Sequence, residues 1–311
     1  MEDSPVSVTY PLWAQPGLLV KATRPRQWTK NLLVFLAFFF TIGTHSQQGV
    51  QGELSVFGRA TLAFIVFCLL SSATYIINDL LDARQDRVHP QKRLRPIASG
   101  RLSPALARVT TLVLIVFSLA GAFTLDQGFG IVAALYLILN VAYSISIKHQ
   151  VILDVFSISA GFVLRAVAGA LSINVPVSPW LFVMTSLGAL MIALGKRRSE
   201  LIALGEDSTS HRAVLGEYSL PLVDQLITVV APATVVSYML YTFMAPNLPE
   251  NHAMMLTVPF VVYGLFRYLY LVHDGEMAGE PEELFLTDVP LIVNNVLWLA
   301  TASTILLLFR Q

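Results

Sequence analysis

Charge is scarce in this chain of 311 residues: Asp, Glu, Lys and Arg together make up 13% of it, against roughly 25% in soluble domains. Cysteine is nearly absent. The one example, Cys68, sits inside an apolar run. A lone cysteine excludes an intrachain disulfide and a cysteine-rich metal centre, and it reads as a small hydrophobe. Neither sign of charge is in excess, with 20 basic and 20 acidic residues, so the composition gives no reason to expect nucleic acid. Nor is a cleavable signal peptide expected from this sequence. Lys21, Arg24, Arg26 and Lys30 precede the first apolar run, which begins near Leu32; that run is expected to stay as a transmembrane helix.

What the chain has instead is apolar sequence, 55% of all residues, with a mean hydropathy of +0.66. Spanning the hydrocarbon core takes about 20 such residues. Candidate spans fall at 27–44, 55–82, 104–125, 128–147, 151–173, 179–197, 221–245, 253–273 and 288–309. Each is expected to be a helix, because an open strand leaves its backbone unsatisfied in lipid. The expected fold is thus an all-α polytopic membrane protein of nine transmembrane helices. A loose tail over 1–20 precedes a single domain over 21–311.

The bases set the expected orientation. Of the 20 Lys and Arg, 16 lie before span 1 or around the loops after spans 2, 4 and 6. The loops after spans 1, 3, 5 and 7 have none. By the positive-inside rule the N-terminus is cytoplasmic and the C-terminus outside. The long polar loops after spans 2 and 6 then place the active face toward the cytoplasm. The loop after span 8 is acidic, but acids count little in that rule.

The main chemical signal closes span 2, where residues 71–101 read SSATYIINDLLDARQDRVHPQKRLRPIASGR. On a helical wheel Asn78, Asp82 and Asp86 fall at about 0°, 40° and 80°, with Asp79 at about 100°. The acids Asp82 and Asp86, at i and i+4, with Asp79 beside them, repel and do not support a helix by themselves. They need a cation, and hard oxygen donors of this kind suit Mg²⁺ together with substrate phosphates. Arg87, His89, Lys92, Arg93, Arg95 and Arg101 follow at once. Acids succeeded by bases is the layout of a metal–diphosphate site, in which the bases hold outer phosphate oxygens.

Asn78-Asp79-x-x-Asp82-x-x-x-Asp86 resembles the first aspartate-rich motif of the UbiA superfamily of intramembrane prenyltransferases. The resemblance covers nearly the whole chain. It implies nine helices around a cytoplasmic-side site, and it allows a homo-oligomer. Members usually carry a second aspartate-rich motif after span 4. Here Asp154 is present, but positions 150 and 158 are Gln and Ile, so the Asp-x-x-x-Asp pattern is incomplete in either register.

Other segments are similar to one branch, the polyprenyl-phosphate phosphoribosyltransferases. They include Arg24-Pro25-Arg26-Gln27-Trp28-Thr29-Lys30-Asn31, His89-Pro90-Gln91-Lys92 with Arg95-Pro96, Gly161-Phe162-Val163-Leu164-Arg165 and Gly195-Lys196-Arg197-Arg198. That branch implies phosphoribosyl pyrophosphate as donor, a polyprenyl phosphate as acceptor, and Mg²⁺ as cofactor. Asn78, Asp79, Asp82 and Asp86 are then the metal set, and Asp79, Asp82, Asp86 and Asp154 the catalytic acids. Arg24, Lys30, Asn31, Asn78, Lys92, Arg95, Tyr143, Lys148, Arg165, Lys196 and Arg197 are the candidates for substrate binding.

Either superfamily reaction expels pyrophosphate from a carbon that becomes cationic, so the first motif does not choose between an allylic and a ribosyl donor. A phosphoribosyl donor brings a further phosphate, as does a lipid phosphate acceptor, and the surplus of bases suits both. An intramembrane Arg165 marks a functional site or an ion pair. It lies about 20° around the helix from Asp154 and roughly 16 Å along the axis. The alternative is prenyl transfer to an aromatic acceptor. A transporter or non-catalytic lipid-binding protein is disfavoured, because transporters place charge and broken helices near the midplane.

Overall fold

The structure, a computed structural model, describes residues 15–41, 49–204, 213–246, 248–273 and 284–309. Expectations that fall on residues 1–14, on Arg212 and on the acidic loop across 274–283 lie outside the described residues. Among those described, every regular element is helical. In chain order the α-helices are α1 (Gln15–Ala22), α2 (Leu36–Thr41), α3 (Gly49–Leu81), α4 (Ala83–Val88), α5 (Pro104–Leu125) and α6 (Gln127–Ile145). They continue with α7 (Leu153–Ser172), α8 (Pro179–Leu204), α9 (Leu220–Met244), α10 (Val258–His273), α11 (Leu284–Thr287) and α12 (Val289–Phe309). Short 3₁₀ segments link several of them.

Eight stretches among the described residues are long and apolar enough to cross a membrane. The first expected span is the exception. Within the expected span, residues 27–41 are described, and they form a 3₁₀ segment, Pro25–Phe35, that passes into the short α2, Leu36–Thr41. The segment is polar, and side-chain bonds fix it to α3: Trp28 Nε1 donates to Ser72 Oγ at 3.1 Å, and Asn31 Nδ2 to Ser71 Oγ at 3.1 Å. Of the expected tail over 1–20, residues 15–20 are described and belong to α1, Gln15–Ala22. Its Leu18, Leu19 and Ala22 pack with Ile76 of α3 and Leu102 and Ala107 around the start of α5.

Two apolar cores meet along α7 and α8. One joins α3, α6 and α7 through Phe67, Leu70, Phe129, Tyr136 and Ala168. The other joins α8, α9, α10 and α12 through Met191, Leu194, Val223, Tyr268 and Leu291. Gly169 of α7 allows the close approach of the 3₁₀ segment: a Cβ there would lie 2.1 Å from the carbonyl oxygen of Val34. At the opposite end of α3, Arg59 donates from Nε to Ser172 O at 2.8 Å and from Nη2 to Leu125 O at 3.1 Å. Those are the last residues of α7 and α5. A base at two helix C-termini satisfies orphan carbonyls and meets the negative end of each dipole.

Candidate active site

α3 stops at Leu81, and Asp82 adopts φ −90°, ψ 1° before α4 begins. The amide ladder bridges the break: Asp82 N–H donates to Asn78 O and Asp86 N–H to Asp82 O. The acids therefore do not form the single stripe expected of one continuous helix. Asp79 and Asp86, seven residues apart, share a base. Arg95 Nη1 lies 3.2 Å from Asp79 Oδ1 and 2.7 Å from Asp86 Oδ2. Asp82 turns elsewhere and accepts from Lys148 Nζ at 2.5 Å. Lys148 stands on the 3₁₀ turn Ile147–His149 between α6 and α7.

Asp79 has a second base. Arg24 Nη2 donates to its Oδ1 at 2.5 Å, with the Arg24 guanidinium 5.2 Å from the centre of the Tyr75 ring. Asp79 and Asp86 are buried, at 2% and 4% exposure; Asn78 and Asp82 are half-buried. The mutual repulsion of the acids is offset by Arg24, Arg95 and Lys148, each acid facing a base. A pocket of about 270 Å³ opens against this cluster, walled by Lys21, Arg24, Asp79, Gln91 and Arg95.

Among the described residues no three acidic, histidine or cysteine side chains converge as a ready metal cage. The donor chemistry nonetheless fits Mg²⁺. That ion is commonly held by one or two carboxylates with substrate phosphates completing its shell. Asn78, Asp79, Asp82 and Asp86 offer hard oxygens for it.

A second, far larger cavity of about 1190 Å³ lies between α2, α8, α9, α10 and α12. Its wall is apolar and aromatic, including Phe40, Phe162, Trp180, Tyr238 and Trp298. Lys30 is the one charged residue among the described residues that line it. Sites for drug-sized molecules run to about 1,000 Å³, so the space suits a long apolar chain.

Of the two arrangements expected of Arg165, the ion pair is not formed among the described residues. Arg165 is buried at 5% exposure and meets no carboxylate partner among the described residues. Its Nε donates to Asn31 Oδ1 at 2.8 Å, Nη1 to Gly161 O at 2.9 Å and Nη2 to Tyr136 Oη at 2.7 Å. The rings of Tyr136 and Phe162 lie beside the guanidinium. Arg165 thus pins the 3₁₀ segment, α6 and α7 together.

Asp154 is fully buried, and its partners stand outside the Asn78–Asp86 cluster. Its Oδ1 accepts from Tyr218 Oη at 2.7 Å. Its Oδ2 faces Arg197 Nε at 3.1 Å, a charge contact without hydrogen-bond alignment. Arg197 also pairs with Glu200. Burial first, and then the bond to Asp154, push the Tyr218 hydroxyl well above its ordinary pKa. Lys92, Tyr143 and Lys196 are half-buried, on the turn after α4, near the end of α6 and in α8 respectively. His89 Nδ1 accepts from the amides of Gln91 and Lys92, which makes it a turn residue.

The structure therefore sorts the sequence candidates into separate groups. Arg24, Asp79, Asp82, Asp86, Arg95 and Lys148 come together; Lys30 lines the cavity; Asn31 and Arg165 form an inner brace; Asp154 and Arg197 form a buried lock. Sequence reasoning missed Tyr218 and Tyr136. Neither belongs to a motif, and each is identified only by the charged partner that the fold brings to it.

The helical bundle, the acid–base cluster at a helix break and the large apolar cavity define a multi-pass membrane protein that carries a charged site and an apolar one. The chain belongs to the UbiA prenyltransferase family, which it matches over residues 33–287. Decaprenyl-phosphate phosphoribosyltransferase of Mycobacterium tuberculosis (strain ATCC 25618 / H37Rv) is 36% identical over 286 residues, covering 92% of this chain and 93% of that protein. The protein of the same name from Mycolicibacterium smegmatis is 36% identical over 295 residues, covering 91% and 90%. In fold the chain is similar to a UbiA homolog from Archaeoglobus fulgidus, solved bound to GPP and Mg²⁺. The TM-score is 0.70 at 19% identity, over 94% of this chain and all of that one.

Proposed function

We propose that this protein transfers the 5-phosphoribosyl group of phosphoribosyl pyrophosphate to a polyprenyl phosphate and releases pyrophosphate. One observation carries the reading. Three acids, each matched to a base, stand in a chain that also offers a large apolar cavity with a single lysine on its wall. Two phosphorylated substrates, one of them a lipid, need both features. Relatives named as decaprenyl-phosphate phosphoribosyltransferases match 92% and 91% of the chain, which favours ribosyl over allylic donors. So does Asp154, which is held by Arg197 and Tyr218 where a prenyl-diphosphate site would use its second acid motif.

Asn78, Asp79, Asp82 and Asp86 would hold Mg²⁺, which when bound supplies positive charge to the departing pyrophosphate. Arg24, Arg95 and Lys148 grip phosphate oxygens and keep them in line. Lys30 meets the lipid phosphate as its tail enters the cavity from the bilayer. The lipid phosphate oxygen, already an anion near neutral pH, attacks C1 of the ribose. The bond from C1 to the pyrophosphate oxygen breaks, and the electron pair leaves with pyrophosphate; no general base is required. The catalytic domain spans 21–311. It sits in the plasma (inner) membrane with its N-terminus and active face cytoplasmic and its C-terminus outside.

The test is a transfer assay in detergent with two labelled donors. Phosphoribosyl pyrophosphate with a polyprenyl phosphate should yield labelled lipid and require Mg²⁺. Product only from a prenyl diphosphate with an aromatic acid would overturn the reading in favour of prenyl transfer. Asp82→Ala should abolish turnover with little loss of folded protein.

A further inference from the structure

Four non-glycine residues among those described have positive φ: Arg24, Ile152, Asn174 and His252. Ile152 stands apart, because a β-branched side chain there is a true outlier. Its φ is 70° and ψ −47°, and Leu153 N–H donates to Val151 O at 2.8 Å. That is a γ-turn of the rare, strained kind. Such a conformation persists only where its surroundings over-determine it. Burial of the side chain does not do so, since Ile152 is 41% exposed.

The restraint comes from another loop. Ile152 N–H donates to Tyr218 Oη at 2.7 Å, and that hydroxyl donates onward to Asp154 Oδ1 at 2.7 Å. Tyr218 and Asp154 are buried at 5% and 0% exposure, and Arg197 behind Asp154 at 1%. Upstream the connection is stiff: Gln150 N–H donates to Ile147 O, and Asp154 N–H to Gln150 O. The turn Ile147–His149 also packs against Ala213–Glu217, just ahead of Tyr218. Four residues before the strained turn stands Lys148, with its ammonium on Asp82.

We infer that Tyr218 is a positioning residue: by holding the strained turn at Ile152 on Asp154, it fixes Lys148 at Asp82. The inference deepens the proposed function, because it rests on Lys148 as a phosphate ligand. The segment just ahead of α9 thereby controls the order of a base on the neighbouring turn.

Tyr218→Phe keeps the ring and removes the hydroxyl. The apparent KM for phosphoribosyl pyrophosphate should rise on the order of tenfold, the worth of one aligned charged contact, with a smaller change in kcat. Lys148 should become more reactive toward an amine-acylating reagent, read by peptide mass spectrometry on the detergent-solubilised protein. Ile152→Gly supplies the decisive arm, because glycine adopts positive φ without strain. In the Tyr218→Phe background it should restore KM and Lys148 protection; in the wild-type background it should leave both unchanged. The double variant also keeps the test open if Tyr218→Phe alone folds poorly. Wild-type KM and Lys148 reactivity in Tyr218→Phe would overturn the inference, as would a defect that Ile152→Gly leaves uncorrected. Lys148 labelling needs no turnover, so it decides the point even if phosphoribosyl transfer is not detected.

Discussion

Replacing Gly169 by alanine should destabilise the protein, although the same change in most helices does the reverse. A glycine inside a helix costs about 1 kcal/mol relative to alanine, so propensity alone favours the substitution. The packing opposes it. The new Cβ would lie 2.1 Å from Val34 O, 2.8 Å from Val34 C and 2.9 Å from Val34 Cα. All three are backbone atoms and cannot rotate away. Ordinary contact begins near 3.4 Å, so the segment Pro25–Phe35 must retreat by more than 1 Å. Overpacking of this kind costs about 1–3 kcal/mol. The displaced segment carries Lys30 and Asn31 and follows Arg24 directly, so activity should fall with stability. Gly161, two turns earlier on the same helix, is the control. A Cβ there meets nothing nearer than Arg165 Nη1 at 3.6 Å, so Gly161→Ala should match or slightly exceed wild type. Thermal unfolding in detergent, followed by tryptophan fluorescence, measures both variants, with the transfer assay alongside. Equal stability for the two variants, or a less stable Gly161→Ala, would refute the close-approach argument.

Gly188 lines the large cavity, and a Cβ on it would face open space. Gly188→Leu should therefore cut use of long polyprenyl phosphates while leaving a short soluble analogue as a substrate, measured by turnover against chain length. Arg165→Lys should lower stability by about 1–3 kcal/mol, because one ammonium cannot replace a guanidinium that reaches Asn31, Gly161 and Tyr136 together; unfolding midpoints test this. The Tyr218 hydroxyl is raised above its ordinary value of 10.0, so the folded state keeps that proton longer than the unfolded chain. The linked stability is fully present below a pH of about 10 and fades as the pH climbs beyond it. Tyr218→Phe should accordingly show a flatter alkaline limb in a plot of unfolding midpoint against pH.

Local and periodic signals made the membrane class and most of the helices legible in the sequence. α5, α6, α7, α9 and α12 begin and end close to the expected spans, because long apolar runs between turn residues have no other way to satisfy their backbone in lipid. The stretch after Arg24 is less regular than its hydropathy suggests, with a 3₁₀ segment over Pro25–Phe35. Its hydropathy suggests a span, but Trp28 and Asn31 bond sideways to α3, and those partners lie about forty residues away in sequence. The aspartate cluster was legible as chemistry and incomplete as geometry. A wheel assumes an unbroken helix, whereas the backbone opens at Asp82 and gives Asp79 and Asp86 one base and Asp82 another.

The bases show the same division between rule and fold. Topology explains why Lys and Arg collect on one side, but it does not say what each of them holds. Arg59 and Arg165, both inside spans, are satisfied by neutral oxygens: helix-end carbonyls for the first, and an amide, a carbonyl and a phenol for the second. Neutral partners leave a buried guanidinium charged and fix its direction, which suits a brace. Arg24, Arg95 and Lys148 face carboxylates instead, and a carboxylate is a partner that a phosphate can replace on equal chemical terms. Under the proposed phosphate site, bases that exchange partners would differ from bases that stay by the charge of what they touch. Arg197 touches two carboxylates, Asp154 and Glu200, so partner charge alone would group it with the exchanging bases; its burial, at 1% exposure, is what sets it apart from them.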